Sequence, residues 1–63
     1  MPKITLTDTS GIQFDVDVDM IREIKDRKAY RTLQYLYCSG TEDTNVRETV
    51  PEILNKIKEV KGL

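Results

Sequence analysis

The chain has 63 residues, of which 38% are hydrophobic and 33% charged, and its formal net charge is −1. This length and composition are typical of one small globular domain over residues 1–63 and exclude a two-domain enzyme. The chain has one cysteine and no histidine, which excludes an intramolecular disulfide and the usual four-ligand zinc site. Its slightly acidic net charge disfavours nucleic acid as a partner, because lysine and arginine supply most of the affinity for phosphates.

Two segments of alternating polar and apolar residues open the chain and predict an antiparallel β-hairpin. The first covers residues 3–7 and the second residues 12–18. The stretch from Asp8 to Gly11 between them has the composition of a turn, in which Gly11 is available for positive φ. One face of this hairpin is expected in the core, and its apolar residues are Ile4, Leu6, Ile12, Phe14, Val16 and Val18.

Residues 19–28 allow two interpretations. A short helix capped by Asp19 would have Met20, Ile21 and Ile24 on one side, but its apolar stripe ends after about two turns. A bend at Asp19 followed by a strand over residues 21–25 competes with that helix. We favour the strand.

The aromatic segment of residues 30–38 predicts a long central strand. Cys38, at the end of this strand, is expected to be a small buried hydrophobic residue. Residues 39–45 contain a glycine and two acids and predict an acidic loop. Residues 44–48 then predict a short returning strand centred on Val46.

The C-terminal segment carries the clearest boundary signals, for a helix over residues 51–61. Thr49 is a side-chain N-cap, Pro51 stands near the first helical position and Glu52 completes a capping box, while Gly62 marks the end. The side expected to pack on the sheet consists of Ile53, Leu54, Ile57 and Val60. The whole chain therefore predicts an α+β fold, a small antiparallel β-meander of four or five strands with one C-terminal helix packed on the sheet.

Catalytic chemistry has little material in this sequence. Nucleophilic catalysis needs a base such as histidine, and Ser10 and Ser39 stand in glycine-containing turns. Pro2 would become an N-terminal amine if Met1 were removed, as in small tautomerases, but those chains place a long helix where this one has the alternating segment 12–18. We therefore expect no enzyme, no catalytic residue and no cofactor.

Asp15, Asp17 and Asp19 have the spacing that opens a calcium-binding loop. The sixth position of such a loop needs a glycine for its sharp turn, and this sequence has Met20 there. We therefore expect no metal site. The three carboxylates are interpreted as an acidic stripe on the solvent face of one strand, which suits a basic partner.

The tyrosines offer a second candidate surface. Tyr30, Tyr35 and Tyr37 stand near basic residues, as in proteins that stack single-stranded bases, although tyrosines more often pack at the rim of a core. A protein partner fits the sequence better than a nucleic acid. The residues expected to contact it are Asp15, Asp17, Asp19, Tyr35, Tyr37, Glu42 and Asp43.

A second copy of the chain is a further candidate partner. A domain of this mass buries roughly 6,400 Å² on folding, and the resulting apolar stabilisation, on the order of 95 kcal/mol, is matched by an ordering cost of similar size. Because little stability is left over, a two-fold homodimer through a sheet edge or through the tyrosine-bearing strand is a reasonable hypothesis.

Several short motifs are spread over nearly the whole chain. They are Ile4-x-Leu6, Phe14-x-Val16, Met20-Ile21-x-x-Ile24, Thr32-Leu33 and the segment from Val46 to Ile57. With the order of the predicted elements, these motifs resemble the FlbD-like family of small bacterial proteins encoded beside flagellar motor genes. The resemblance implies a motility-related role and the same small α+β fold.

The function that fits these observations is that of a small, non-enzymatic regulatory module that acts through protein–protein contacts in the cytoplasm. Membrane insertion is not expected, because no run approaches the roughly 18 apolar residues of a span and no signal-peptide pattern opens the chain. Two alternatives stay open. One is a phage or mobile-element protein that binds and inhibits a host protein, and the other is a nucleic-acid-binding β-domain, since LytTR-like DNA-binding domains share this layout.

Overall fold

The computed structural model describes residues 2–62, which form five antiparallel strands, one turn of 3₁₀ helix and one C-terminal α-helix. This confirms the predicted small α+β fold, although the strands divide into two sheets, β1–β2 and β3–β4–β5. The elements are β1 (Lys3–Thr7), β2 (Gln13–Asp17), a 3₁₀ helix (Val18–Met20), β3 (Ile21–Asp26), β4 (Arg31–Tyr37), β5 (Gly40–Val46) and α1 (Val50–Lys61).

The predicted hairpin is β1–β2, and its turn is closed by Asp8. The Asp8 carboxylate accepts hydrogen bonds from the backbone N–H groups of Ser10 and Ile12, both at 2.9 Å, and Gly11 adopts φ 92°. The prediction that Ile12 shares the core face is wrong, since its side chain is 64% exposed. Its backbone belongs to the turn, and the alternation that buries one face begins only with β2 at Gln13.

The strand favoured for residues 19–28 is present as β3. It follows the 3₁₀ helix, which begins where the Asp17 side chain accepts a hydrogen bond from the Asp19 backbone N–H at 3.0 Å. A bulge interrupts its pairing with β4 between Ile21 and Glu23. Ile21 and Ile24 therefore pack against the core from a strand, while Met20 belongs to the 3₁₀ helix.

The loop predicted for residues 39–45 is wrong. Gly40 to Val46 form β5, which pairs with β4 over its whole length from Tyr37↔Gly40 to Arg31↔Val46. Residue types that are poor in strands are accepted here because β4 supplies the pairing and because only Val46 is buried. Two residues, Cys38 and Ser39, are left to make the turn.

Cys38 is therefore exposed, which corrects the prediction that it is buried. Its φ of 55° lies in the left-handed region, and a residue at the tip of a two-residue turn has no sheet or helix above it. Its small, apolar side chain carried no signal of this position.

The two sheets meet where the first hairpin turns. Asp8 forms an isolated bridge with Val46, the Thr9 N–H donates to the carbonyl of Asn45 at 3.2 Å, and the Arg47 N–H donates to the carbonyl of Thr7 at 2.9 Å. The last residues of β5 therefore pair with the end of β1. The first residues of β5 extend past the hairpin turn without a partner on that side among residues 2–62.

Helix α1 begins at Val50, one residue before the predicted start, ends at Lys61 as predicted and packs across β1. Thr49 and Glu52 form the capping box, and Gly62 ends the helix at φ 70°. The predicted contact side is only partly right: Ile53 is fully buried and Ile57 packs against the core, but Leu54 is 49% and Val60 43% exposed. Because a two-stranded hairpin is narrow, a single row of α1 residues spaced four apart, Ile53 and Ile57, is enough to cover it.

The core lies between α1, the first hairpin and the inward face of the second sheet. Arg31 is 9% exposed beside it, and its guanidinium donates to the backbone carbonyls of Lys28, Arg47 and Glu48. This one side chain ties β4 to the connection between β5 and α1. The fully or nearly buried apolar residues are Ile4, Leu6, Val16, Val18, Leu33, Val46 and Ile53.

Candidate functional site

An open groove of about 430 Å³ lies between the first hairpin and the far ends of β4 and β5. Three aromatic rings and three carboxylate side chains belong to the residues around it. No lysine or arginine of the described chain lines it. Its lining residues are Asp8, Phe14, Asp15, Tyr35, Tyr37, Glu42 and Thr44.

The groove forms because β4 and β5 carry their inward face past the end of the core. Leu33 is fully buried, Tyr35 is partly buried and Tyr37 is 63% exposed, so exposure rises along alternate residues of β4. Thr44 and Glu42 stand opposite Leu33 and Tyr35 on β5. Directly opposed residues share a face of the sheet, so all five belong to the inward face.

The wall of the groove nearest the core is held by Tyr35. Its ring stacks on Phe14 of the first hairpin, with centroids 6.4 Å apart and planes inclined by 23°. Its hydroxyl lies 3.1 Å from Oγ1 of Thr44. Tyr37 has no stacking partner or side-chain hydrogen bond within residues 2–62, so its ring is open to a ligand.

The three carboxylates differ in how far they are already engaged. One oxygen of Asp8 accepts two backbone N–H groups of the hairpin turn, and one oxygen of Asp15 accepts the hydroxyl of Thr5 at 2.6 Å. Glu42 makes no hydrogen bond or ion pair with any residue that the structure describes. Glu42 is therefore the carboxylate of the groove that is most available to an incoming cation.

The structure brings together four of the seven residues that the sequence suggested as partner contacts, namely Asp15, Tyr35, Tyr37 and Glu42. The other three lie elsewhere. Asp17 caps the 3₁₀ helix, Asp19 lies 3.5 Å from the ammonium of Lys61, and Asp43 stands opposite Gln34 on the other face of the sheet.

Sequence reasoning missed Asp8, Phe14 and Thr44 as members of the groove. Each has a sufficient local explanation as a turn, core or strand residue, and the sequence carries no signal for the contact between the two sheets. The register of β4 against β5, the stacking of Tyr35 on Phe14 and the bridge from Asp8 to Val46 bring them together.

Neither a metal cluster nor a membrane-spanning helix occurs in the part of the chain that the structure describes. Within residues 2–62, no cluster of three or more histidine, cysteine, aspartate or glutamate side chains is arranged to hold a metal ion. None of the helices formed by these residues has the length and apolar character needed to cross a membrane. The groove is accordingly the candidate functional site.

Comparisons with models of protein families, with curated proteins and with solved structures found no match. What the groove does must therefore be argued from its own geometry and charge.

Proposed function

We propose that this protein is a small, non-enzymatic binding module whose groove binds a basic region of a partner protein. One observation carries the proposal: the open ring of Tyr37 lies in the same groove as the unengaged carboxylate of Glu42, and no basic side chain neutralises them there. A tyrosine ring and a carboxylate each attract the cationic side chain of lysine or arginine.

The energies involved indicate how large the contact must be. A cation over an exposed tyrosine ring contributes about 0.5–1 kcal/mol, and an exposed ion pair about 0.2–1 kcal/mol. One basic side chain therefore binds only weakly, and a stable complex needs several contacts along the groove. Arginine suits the site better than lysine, because its planar guanidinium can stack on a ring while donating two hydrogen bonds to a carboxylate.

The same charges disfavour a nucleic acid as the occupant of the groove. Its phosphates would meet Asp8, Asp15 and Glu42 without a compensating lysine or arginine on the lining. We further propose that the module has a regulatory role, and the FlbD-like resemblance alone supports a role in motility. Inhibition of a host protein by a phage or mobile-element product would use the same kind of contact.

The proposal is tested with two pools of short synthetic peptides that are identical except that one carries arginine and lysine and the other glutamate at alternate positions. Binding is measured by fluorescence anisotropy for the parent protein and for Glu42→Gln and Tyr37→Ala. We expect binding of the basic pool alone, weakened about two- to fivefold by each substitution.

Two matched controls separate the groove from the overall charge. Glu59→Gln removes an exposed carboxylate of α1, and Leu36→Ala shortens an exposed apolar residue on the other face of β4; neither residue lines the groove. Both controls should bind as the parent does. Equal weakening by the controls, or failure of every basic peptide to bind, would overturn the proposal.

A further inference from the structure

We infer that the basic segment of the partner binds as an added β-strand along the open edge of β5, over residues 40–44. This inference rests on the proposed function and specifies how the partner's backbone would be held.

The backbone groups of β5 alternate between its two edges. The carbonyl of Asn45 and the N–H of Arg47 face the first hairpin, because they bond to Thr9 and Thr7. Successive residues of a strand present their N–H and C=O groups to opposite edges. Thr41 and Asp43, which lie four and two residues before Asn45, therefore face the same side, beyond the hairpin turn.

No hydrogen bond satisfies those groups within residues 2–62. The pairing between β5 and the first hairpin stops at the Asp8↔Val46 bridge and the bond from Thr9 to Asn45. The neighbouring residues Glu42 and Thr44 face β4 with their backbone groups instead. The open edge therefore presents the donors and acceptors that a short added strand would pair with.

The side chains beside this edge determine which strand would fit. Those of Glu42 and Thr44 lie on the groove face, while that of Asp43 lies on the opposite face. A strand added beside β5 would have one set of alternate side chains over the groove, near Tyr35 and Tyr37. Basic residues on both faces of that strand would meet a carboxylate, Glu42 on one side and Asp43 on the other.

The same charges argue against a second copy at this edge. Two β5 edges paired about a two-fold axis would bring Glu42 and Asp43 close to their own counterparts, and like charges across neighbouring strands are destabilising. A basic segment of another protein has no such penalty. The hairpin turn at Asp8 and Thr9 limits the added strand to the length of residues 40–44, roughly 17 Å.

The experiment uses the tightest-binding basic peptide and two derivatives of it, N-methylated at either its odd or its even backbone positions. All three carry the same charges, but each derivative loses the N–H donors that face one side. Strand addition predicts that one derivative binds at least about tenfold more weakly, through loss of two or more hydrogen bonds, and that the other keeps much more of the affinity.

Amide hydrogen exchange of the ¹⁵N-labelled protein locates the bound strand. On addition of the parent peptide, the amides of Thr41 and Asp43 should become protected, while those of Glu42 and Thr44, which already face β4, should change little. This comparison uses neighbouring residues of one strand as its own control and needs no substitution in the protein.

The possible failures are distinguishable. If both N-methylated derivatives bind as the parent peptide does, or if Thr41 and Asp43 stay unprotected, the groove binds charge without strand addition and only the present inference falls. If these two amides are protected before any peptide is added and become exposed on dilution, a second copy occupies the edge and the inference is wrong. If no basic peptide binds, the proposed function is wrong, and the present inference is wrong with it.

Discussion

The rings of Phe14 and Tyr35 stack across the junction of the two sheets, with centroids 6.4 Å apart. This contact fixes the first hairpin against β4 and forms one wall of the groove. Because the two residues are 21 positions apart in the chain, the contact links elements that have no turn in common.

We expect this pair to contribute to stability beyond the area that it buries. Phe14→Leu and Tyr35→Leu should each lower the free energy of unfolding, and the double mutant should reveal a coupling of about 0.5–1.5 kcal/mol. Tyr35→Phe is the control, since it keeps the ring and loses only the hydroxyl contact with Thr44. Urea denaturation measures all four variants; additive losses would show that the rings are neighbours without a specific interaction.

Arg31 should be the most sensitive polar residue of the fold. Its guanidinium donates to three backbone carbonyls and lies 3.9 Å from Asp26. Arg31→Met leaves these carbonyls without their donor, so we expect a loss of about 3 kcal/mol or more in the free energy of unfolding. Arg31→Lys should also be destabilising, because an ammonium cannot reach three carbonyls in a fork.

Arg22→Met provides the comparison for this prediction. Arg22 is exposed in the bulge of β3, and a surface substitution of this kind changes stability by about 0.5 kcal/mol or less. Similar unfolding free energies for the Arg31 and Arg22 variants would mean that the buried guanidinium does not hold the connection to α1.

The orientation of α1 gives a third prediction. Ile53 is fully buried and Leu54 is 49% exposed, although the two residues are adjacent. Ile53→Ala should cost about 2–5 kcal/mol, enough to unfold much of the population of so small a domain, whereas Leu54→Ala should cost less than about 1 kcal/mol. Thermal unfolding followed by circular dichroism compares them. The reverse order would show that the helix is rotated on β1.

Cys38 supplies a direct test of the β4–β5 turn. An exposed thiol at the tip of a hairpin should react with a thiol-specific reagent in the native protein as fast as it does in denaturant, after correction for the effect of denaturant on a free cysteine. A Cys38→Ser variant measures the background. If the native protein is labelled slowly, at the rate of global unfolding, then Cys38 is buried, as the sequence led us to expect.

The sequence predicted the elements whose signals are local. Local signals define both ends of α1. The capping box of Thr49 and Glu52 predicts its start to within one residue, and the αL position of Gly62 predicts its last residue correctly. The regular alternation of apolar and polar residues around Val16 defines β2, because consecutive residues belong in turn to its core face and its solvent face.

The sequence could not predict features that depend on a partner element. The segment from Thr41 to Asn45 forms a strand because β4 pairs with it, although three of its five residues are of types that are poor in strands, namely Glu42, Asp43 and Asn45. Leu54 lies at helical spacing from the buried residues, but the narrow hairpin beneath α1 leaves it exposed. The groove needs both the β4–β5 register and the contact between the sheets, so only part of it was foreseen, and Phe14 was assigned to the core alone.

The final prediction concerns self-association. The homodimer suggested by the sequence has little of the tyrosine-bearing strand to pair with, because β5 covers one edge of β4 over Arg31–Tyr37 and β3 covers the other over Arg31–Tyr35. Among residues 2–62, the open edges belong to β1 before Thr7, to β2, to β3 and to the first residues of β5. Each carries charged side chains, which oppose pairing between identical copies.

We therefore expect one species of about the chain mass of 7.3 kDa in sedimentation equilibrium at micromolar concentration. The melting temperature should not depend on protein concentration, because no dissociation accompanies unfolding of a monomer. High salt provides a sensitive check: if charge alone keeps the edges apart, screening at about 1 M salt should permit weak association. A melting temperature that rises with protein concentration at low salt would support the homodimer instead. The edge that forms the dimer would then be found from the backbone amides that become protected from hydrogen exchange as the protein concentration rises.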